Sequence, residues 1–141
     1  MAGYRYLLDT NILSSLLKQP SGVVASRINA VGEDAICTSV VVACELRYGA
    51  AKKGSQILSS KIEQLLSAIE VLPLETGADE KYAEVRSALE KLGTPIGAND
   101  YLIAAHTLSL ELTLVTDNMG EFTRVAGLGV ENWLEPLTGA D

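Results

Sequence analysis

Two aspartates stand just after apolar segments that are typical of buried strands. Asp9 follows Tyr4–Leu8, and Asp117 comes shortly after Thr113–Val115. Continuous apolar runs indicate strands that are covered on both faces. In open parallel α/β sheets, ligands bind at the carboxyl ends of the strands. Both carboxylates are therefore candidates for chemistry at such an edge.

Two further acids fall on apolar faces of predicted helices. The residues three and four positions from Glu45 are apolar or small, and Asp100 shares its helix face with Ile103 and Ala104. A buried carboxylate without a partner costs several kcal/mol. Glu45 therefore needs either a cation in front of it or a nearby base such as Arg47.

Each acid taken alone also has a simpler interpretation. Asp9 and Asp100 could cap the helices that begin beside them. Asp117 could be an ordinary turn residue, and Glu45 could reach solvent from a helix edge.

Taken together, the four acids favour a metal site. Acids from separate segments converge on one edge if the sheet is parallel, and they then repel one another and raise one another's pKa values. Mg²⁺ or Mn²⁺ suits ligation by oxygen alone. On a phosphodiester, such a site generates hydroxide and stabilises the leaving oxygen. Neutral side chains could orient these ligands through hydrogen bonds, namely Thr10, Asn11, Ser39 and Thr116.

The elements that must position these residues alternate along the chain, which indicates a mostly parallel sheet with helices on both faces. The predicted strands are 4–8, 35–38, 71–74, 113–115 and one around Val130. The predicted helices run from about 12 to Pro20, 21–31, 40–52, 56–69, 78–92, 99–110 and, as a short helix or turn, 118–125. Ser39 is expected to cap the third helix, and Thr76–Asp79 has the form of a capping box for the fifth.

Composition limits the function classes. The chain has 141 residues, enough for one ordinary domain, and a net charge of −7, which argues against a general nucleic-acid binder. Its one histidine, His106, excludes a histidine-rich metal site, and Cys37 and Cys44 are expected to be buried free thiols. No apolar run approaches the ~18 residues of a membrane span, and no secretion signal is visible, so we expect a cytoplasmic protein.

The sequence resembles the PIN-domain ribonucleases, in particular the VapC-type toxins of prokaryotic toxin–antitoxin pairs. The resemblance covers nearly the whole chain, and its motifs occur in the same order and spacing. The matching segments are Leu8–Asn11, Ser39, Glu45–Gly49, Gly97–Asp100 with Ile103–Ala105, and Val115–Asn118 with Glu121–Phe122. Asn99 and Thr107 depart from the commonest pattern, but neither removes an acid.

This resemblance implies that residues 1–141 form a single PIN-like domain with an α/β/α sandwich fold. It implies an endoribonuclease that depends on Mg²⁺ or Mn²⁺ and acts on tRNA or another structured RNA. The implied catalytic and metal-binding residues are Asp9, Glu45, Asp100 and Asp117, and Glu121 matches a position that is sometimes acidic.

The resemblance also implies partners. A VapB-type antitoxin would wrap the domain and fill the acidic pocket, DNA would be contacted only through that antitoxin, and the chain would form a homodimer. The alternative function is a binding module, in which the acidic pocket is only a socket for the antitoxin and the domain acts as a co-repressor.

Overall fold

The computed structural model describes residues 3–135, in which five strands form one sheet. The strands are β1 (Tyr6–Leu8), β2 (Ile36–Ser39), β3 (Val71–Leu72), β4 (Thr113–Val115) and β5 (Gly129–Glu131). Their order in the sheet is β3-β2-β1-β4-β5, and every pair of neighbours is parallel. The expected mostly parallel sheet is thus entirely parallel within the described residues.

Seven α-helices connect these strands within the same residues. They are α1 (Thr10–Lys18), α2 (Val23–Val31), α3 (Val40–Lys53), α4 (Gln56–Ala68), α5 (Ala78–Lys91), α6 (Ala98–Ser109) and α7 (Met119–Phe122). A short 3-10 helix, Glu33–Ala35, precedes β2. Because all four residues of β2 are buried, both faces of the sheet are covered. The predicted three-layer α/β/α sandwich is confirmed. The predicted single domain spans residues 1–141, of which 1–2 and 136–141 lie outside the described residues.

The central strand β1 lies between two strands from distant parts of the sequence. It pairs with β2 on one side and with β4 on the other, with Leu8 opposite Val115. The pairing continues beyond the strand, because the Asp9 amide donates to the Val115 carbonyl at 2.9 Å. The segments that carry Asp9 and Asp117 therefore leave the sheet side by side.

The structure corrects several predicted element boundaries. Helix α1 begins at Thr10 rather than Ile12, because the Asp9 side chain caps it. Helix α6 begins at Ala98 rather than at residue 99 or 100, with Gly97 at the cap position. The predicted capping box at Thr76 is wrong, since Gly77 is the cap residue and the Asp79 carboxylate accepts a hydrogen bond from the Gly77 amide at 2.9 Å.

The two cysteines differ in exposure. Cys37 on β2 is buried, and burial with repulsion from Glu70 raises the pKa of its thiol to about 12. Cys44 is exposed, so the prediction of two buried thiols is wrong for this residue. It lies on the outward face of α3, one turn after the partly exposed Val40. None of the helices within residues 3–135 combines the length and apolarity that crossing a bilayer requires.

Two glycines of α3 give opposite predictions for stability. Gly54 ends the helix in the left-handed region with φ 65°, so Gly54→Ala should lower the free energy of unfolding by about 1 kcal/mol. Gly49 lies inside the helix, and a Cβ there would meet nothing within 4 Å outside the helix backbone. Gly49→Ala, the matched control, should therefore raise the free energy of unfolding by up to about 1 kcal/mol. Urea unfolding of the three proteins measures the difference, and equal shifts in one direction would contradict this assignment.

Candidate active site

The side chain of Asp9 is buried at the carboxyl end of β1, with only 6% of its surface exposed. Its Oδ1 accepts a hydrogen bond from the Thr10 amide at 2.8 Å, so the helix-cap interpretation is correct for this oxygen. Its Oδ2 accepts from the Thr116 hydroxyl at 2.7 Å. Burial raises the pKa of Asp9, the two hydrogen bonds lower it, and repulsion from Glu45 and Asp117 raises it further. One carboxylate therefore caps α1 and also faces the neighbouring acids.

Glu45 projects from α3 and is held by two neutral donors. The Thr10 hydroxyl donates to its Oε1, and the Asn99 side-chain amide donates to its Oε2 at 3.3 Å. Arg47 does not fold back onto Glu45, because it pairs with Glu63 at 2.9 Å on the surface. Glu45 is half-buried. Because it has no basic partner in the described structure, its charge faces the other acids.

Asp100 is the third residue of α6 and does not cap the helix, a position taken by Gly97. Burial, a hydrogen bond with Glu121 and repulsion from Glu121, Asp9 and Glu45 raise the pKa of Asp100 to about 7. The hydrogen bond from Asp100, together with that from Asn118 at 2.8 Å, lowers the pKa of Glu121. The opposite pKa shifts of Asp100 and Glu121 follow from the close approach of these two carboxyl groups.

Asp117 lies at the exposed rim of the same edge. Its Oδ1 accepts a hydrogen bond from the Asn11 side chain at 3.1 Å. Its charge reaches the interior, because it contributes to the raised pKa of Asp9. The structure thus brings together all five predicted acids, which we call the acidic cluster: Asp9, Glu45, Asp100, Asp117 and Glu121.

The predicted neutral residues divide into two groups. Thr10, Asn11 and Thr116 each donate to an acid of the cluster. Ser39 does not, since its hydroxyl accepts from the Val41 amide at 3.0 Å and contacts His106 Nδ1 at 2.8 Å. Two asparagines that were not predicted as site residues also donate hydrogen bonds to acids of the cluster. Asn99 donates to Glu45, and Asn118 donates to Glu121. Their only sequence signal is position, since each adjoins an aspartate of the cluster.

The donor set fits a hard divalent cation. Every candidate ligand is a carboxylate oxygen, and burial together with repulsion among these oxygens raises the pKa values of Asp9 and Asp100. Among residues 3–135, however, no three acidic, histidine or cysteine side chains already stand as a preformed metal-binding group. Such an arrangement suits Mg²⁺, which usually takes one or two carboxylates and retains several waters. Asp9 is the most buried of the five acids, Glu45, Asp100 and Glu121 are half-buried, and Asp117 is exposed.

A groove leads away from the acidic cluster between α1, α3 and α4. Its cavity measures about 210 Å³, and its walls include Thr10 and Glu45 near the cluster and Lys18 and Lys53 farther along. A larger cavity of about 680 Å³ lies at the opposite edge of the sheet, beside Tyr4, and contains none of the five acids. Of these two cavities, the smaller groove adjoins the cluster through Thr10 and Glu45.

Comparison with known proteins gives a consistent result. A family model described as "PIN domain" matches residues 6–128. Ribonuclease VapC2 of Rickettsia felis is 37% identical over 130 residues, which cover 91% of this chain and 97% of that protein. The tRNA(fMet)-specific endonuclease VapC of Shigella flexneri is 37% identical over 132 residues, with coverage of 92% and 98%. A crystal structure of VapBC2 from Rickettsia felis bound to a DNA fragment from the promoter contains a similar chain. The two chains superimpose with a TM-score of 0.84 and are 34% identical, and the match covers 91% of this chain and 98% of that chain.

The raised pKa of Asp100 predicts how stability depends on pH without metal. Its pKa is about 7 in the folded protein and 3.8 ordinarily, so between these values the folded state holds more protons than the unfolded state. Stability contributed by this group therefore falls as the pH rises from about 4 to 7. Asp100→Asn cannot ionise, and we expect it to raise the Tm in EDTA at pH 8 but not at pH 4.

Differential scanning calorimetry across this pH range measures the effect. Asp34→Asn is the matched control, because Asp34 is an exposed aspartate at the opposite edge of the sheet. A Tm of Asp100→Asn that equals or falls below the parent Tm at pH 8 would contradict the crowding of charges at Asp100.

Proposed function

This chain belongs to the PIN-domain family and, within it, to the VapC ribonucleases, and we propose that it hydrolyses RNA phosphodiester bonds at the acidic cluster with Mg²⁺ or Mn²⁺. The observation that carries the proposal is the convergence of carboxylates from four separate segments on one edge of the sheet. Burial, and then repulsion from Glu121, Asp9 and Glu45, raises the pKa of Asp100. A cation bound there would relieve this repulsion.

The side chains of the cluster have distinct tasks in this proposal. Asp9 and Asp100 hold the cation, which when bound would activate water and stabilise the leaving oxygen. Glu45, fixed by Thr10 and Asn99, orients the attacking water or a second ion. Asp117 and Glu121 complete the negative rim. Asp9, Glu45, Asp117 and Glu121 are each held by a neutral donor, so their orientation is set before the substrate arrives.

The proposed substrate is tRNA or another structured RNA. A relative of this chain is named a tRNA(fMet)-specific endonuclease, which supports this substrate class. Lys18 and Lys53 line the groove beside Glu45 and are suited to contact the phosphates of an RNA strand that lies in this groove. They also offset locally the net charge of −7, which would otherwise repel RNA.

We further propose that the chain is the toxin of a type II toxin–antitoxin pair in the cytoplasm. Its partner would be a VapB-type antitoxin, and DNA would be contacted only through that protein. The solved VapBC2 assembly on promoter DNA supports an antitoxin partner and a DNA-bound complex. A homodimer follows from the same assignment. An antitoxin arginine placed among Asp9, Glu45 and Asp100 would neutralise the cluster as a cation does.

The alternative of a pure binding module is not favoured. A socket for an antitoxin needs negative charge, but it does not need each acid to be fixed by its own neutral donor, as Asp9, Glu45 and Glu121 are. The similar proteins from Rickettsia felis and Shigella flexneri are also named as a ribonuclease and an endonuclease.

We expect Asp9→Asn and Asp100→Asn to abolish cleavage while leaving the fold intact, because each replaces a charged ligand by an amide of equal size. The measurement is cleavage of a defined tRNA pool by purified antitoxin-free protein with Mg²⁺, Mn²⁺ or EDTA, with mapping of the 5′ ends produced. Asp34→Asn should cut like the parent. Cleavage that persists in EDTA or in both cluster variants would refute the assignment of the cluster.

We also expect Mg²⁺ to raise the Tm of the parent, since a cation that binds only the folded state stabilises it. At about 100 times its Kd, the gain is ~2.7 kcal/mol. The shift should be lost in Asp9→Asn and retained in Asp34→Asn. A Tm that does not change with Mg²⁺ or Mn²⁺ would instead favour the socket.

A further inference from the structure

The only histidine of the chain contacts a serine in the interior. His106 Nδ1 lies 2.8 Å from Ser39 Oγ, and the two side chains are 1% and 0% exposed. A serine beside a histidine suggests nucleophilic catalysis, but this pair is closed to substrate. Its other ring nitrogen, Nε2, has no hydrogen-bond partner of good geometry among the described residues, so no carboxylate completes a triad.

The hydrogen bonds around Ser39 define the direction of this contact. Its oxygen already accepts the Val41 amide at the start of α3, so its own hydrogen is free to donate to His106 Nδ1. Burial lowers the pKa of His106, although the nearby Pro73 carbonyl and Glu75 act in the opposite direction. Ser39 and His106 thus form a hydrogen bond that is buried from solvent.

The positions of the two residues connect this bond to the acidic cluster. Ser39 precedes Glu45 by six residues along α3, and His106 follows Asp100 by six residues along α6. At 1.5 Å per residue, the bond lies ~9 Å along each helix from its acid. This hydrogen bond joins the residue that caps α3 to a residue inside α6.

We propose that Ser39 and His106 are positioning residues of the active site, whose hydrogen bond fixes α3 against α6 and thereby fixes Glu45 relative to Asp100. This inference rests on the proposed metal-dependent nuclease. Because the pair is buried, it acts without touching RNA, through the separation of two acids that must share a cation. Buried partners that orient ligands typically change metal affinity or activity by about 10- to 100-fold when removed.

The test compares variants that break the bond with variants that spare it. His106→Leu removes the acceptor, and His106→Asn retains an acceptor close to the place of Nδ1. Ser39→Ala removes the donor and a helix cap. Its matched control is Ser55→Ala, which removes the equivalent cap of α4, a helix that carries none of the five acids. Each cap is worth ~1 kcal/mol, so Ser55→Ala measures the effect of losing a cap alone.

Two readouts separate positioning from general loss of structure. Titration with Mn²⁺, followed by calorimetry, gives the metal Kd and the fraction of competent protein, and steady-state cleavage of an RNA oligonucleotide gives kcat and KM. We expect His106→Leu and Ser39→Ala to weaken Mn²⁺ binding and lower kcat by about 10- to 100-fold, with KM unchanged. His106→Asn should recover most of both, Ser55→Ala should match the parent, and the Ser39→Ala/His106→Leu double variant should be no worse than either single variant.

Several results would overturn the proposal. One is a parent-like Kd and kcat in both bond-breaking variants, and another is a reduced competent fraction with an unchanged Kd, as expected if the bond served stability alone. Equal weakening in Ser55→Ala and Ser39→Ala would also overturn it. If His106→Leu fails to fold, the comparison of the two serine variants decides. A parent that neither binds Mn²⁺ nor cuts RNA would refute the proposed function itself, whereas a competent parent with unaffected variants would refute only the positioning role.

Discussion

A buried carboxylate at the tip of the central strand is the constraint on which this structure depends. Asp9 loses most of its contact with water, and an ion in that position is stable only if donors replace the lost hydration. The Thr10 amide and the Thr116 hydroxyl supply them from two sides. The hydrogen bond from Thr116 to Asp9 requires β4 to pair beside β1. The order of the strands in the sheet therefore determines whether the Asp9 carboxylate has its hydroxyl donor.

The remaining acids turn this arrangement into a site held under electrostatic repulsion. Burial and the close approach of Glu121 raise the pKa of Asp100, and the same approach lowers that of Glu121, while neutral threonine and asparagine side chains hold Asp9, Glu45, Asp117 and Glu121 in place. Basic residues nearby would neutralise the cluster permanently, and Arg47 is instead bound to Glu63 on the surface. Stability lost to like-charge repulsion must be supplied by the apolar core, which the sheet and its covering helices provide.

The sequence predicted the features that depend on local pattern. Apolar runs located the buried strands, and residue type with spacing located the acids, because strands, helix caps and glycine stops are decided within a few residues. Partner choice was harder to predict. Arg47 pairs with a glutamate on another helix, Ser39 turns to His106, and Asn99 reaches Glu45 from α6. Such contacts depend on how helices pack against the sheet, which no local pattern encodes.

The same dependence on distant partners fixes when the protein can become active. Asp9 and Thr116 are 107 residues apart, so the buried carboxylate has no hydroxyl partner until nearly the whole chain has been synthesised. At about 5–20 residues per second, translation places roughly 5–20 s between these two residues. A nascent chain that stops short of Thr116 therefore cannot complete the acidic edge. Assembly of the acidic cluster thus follows synthesis of β4, long after β1 and Asp9 have been made.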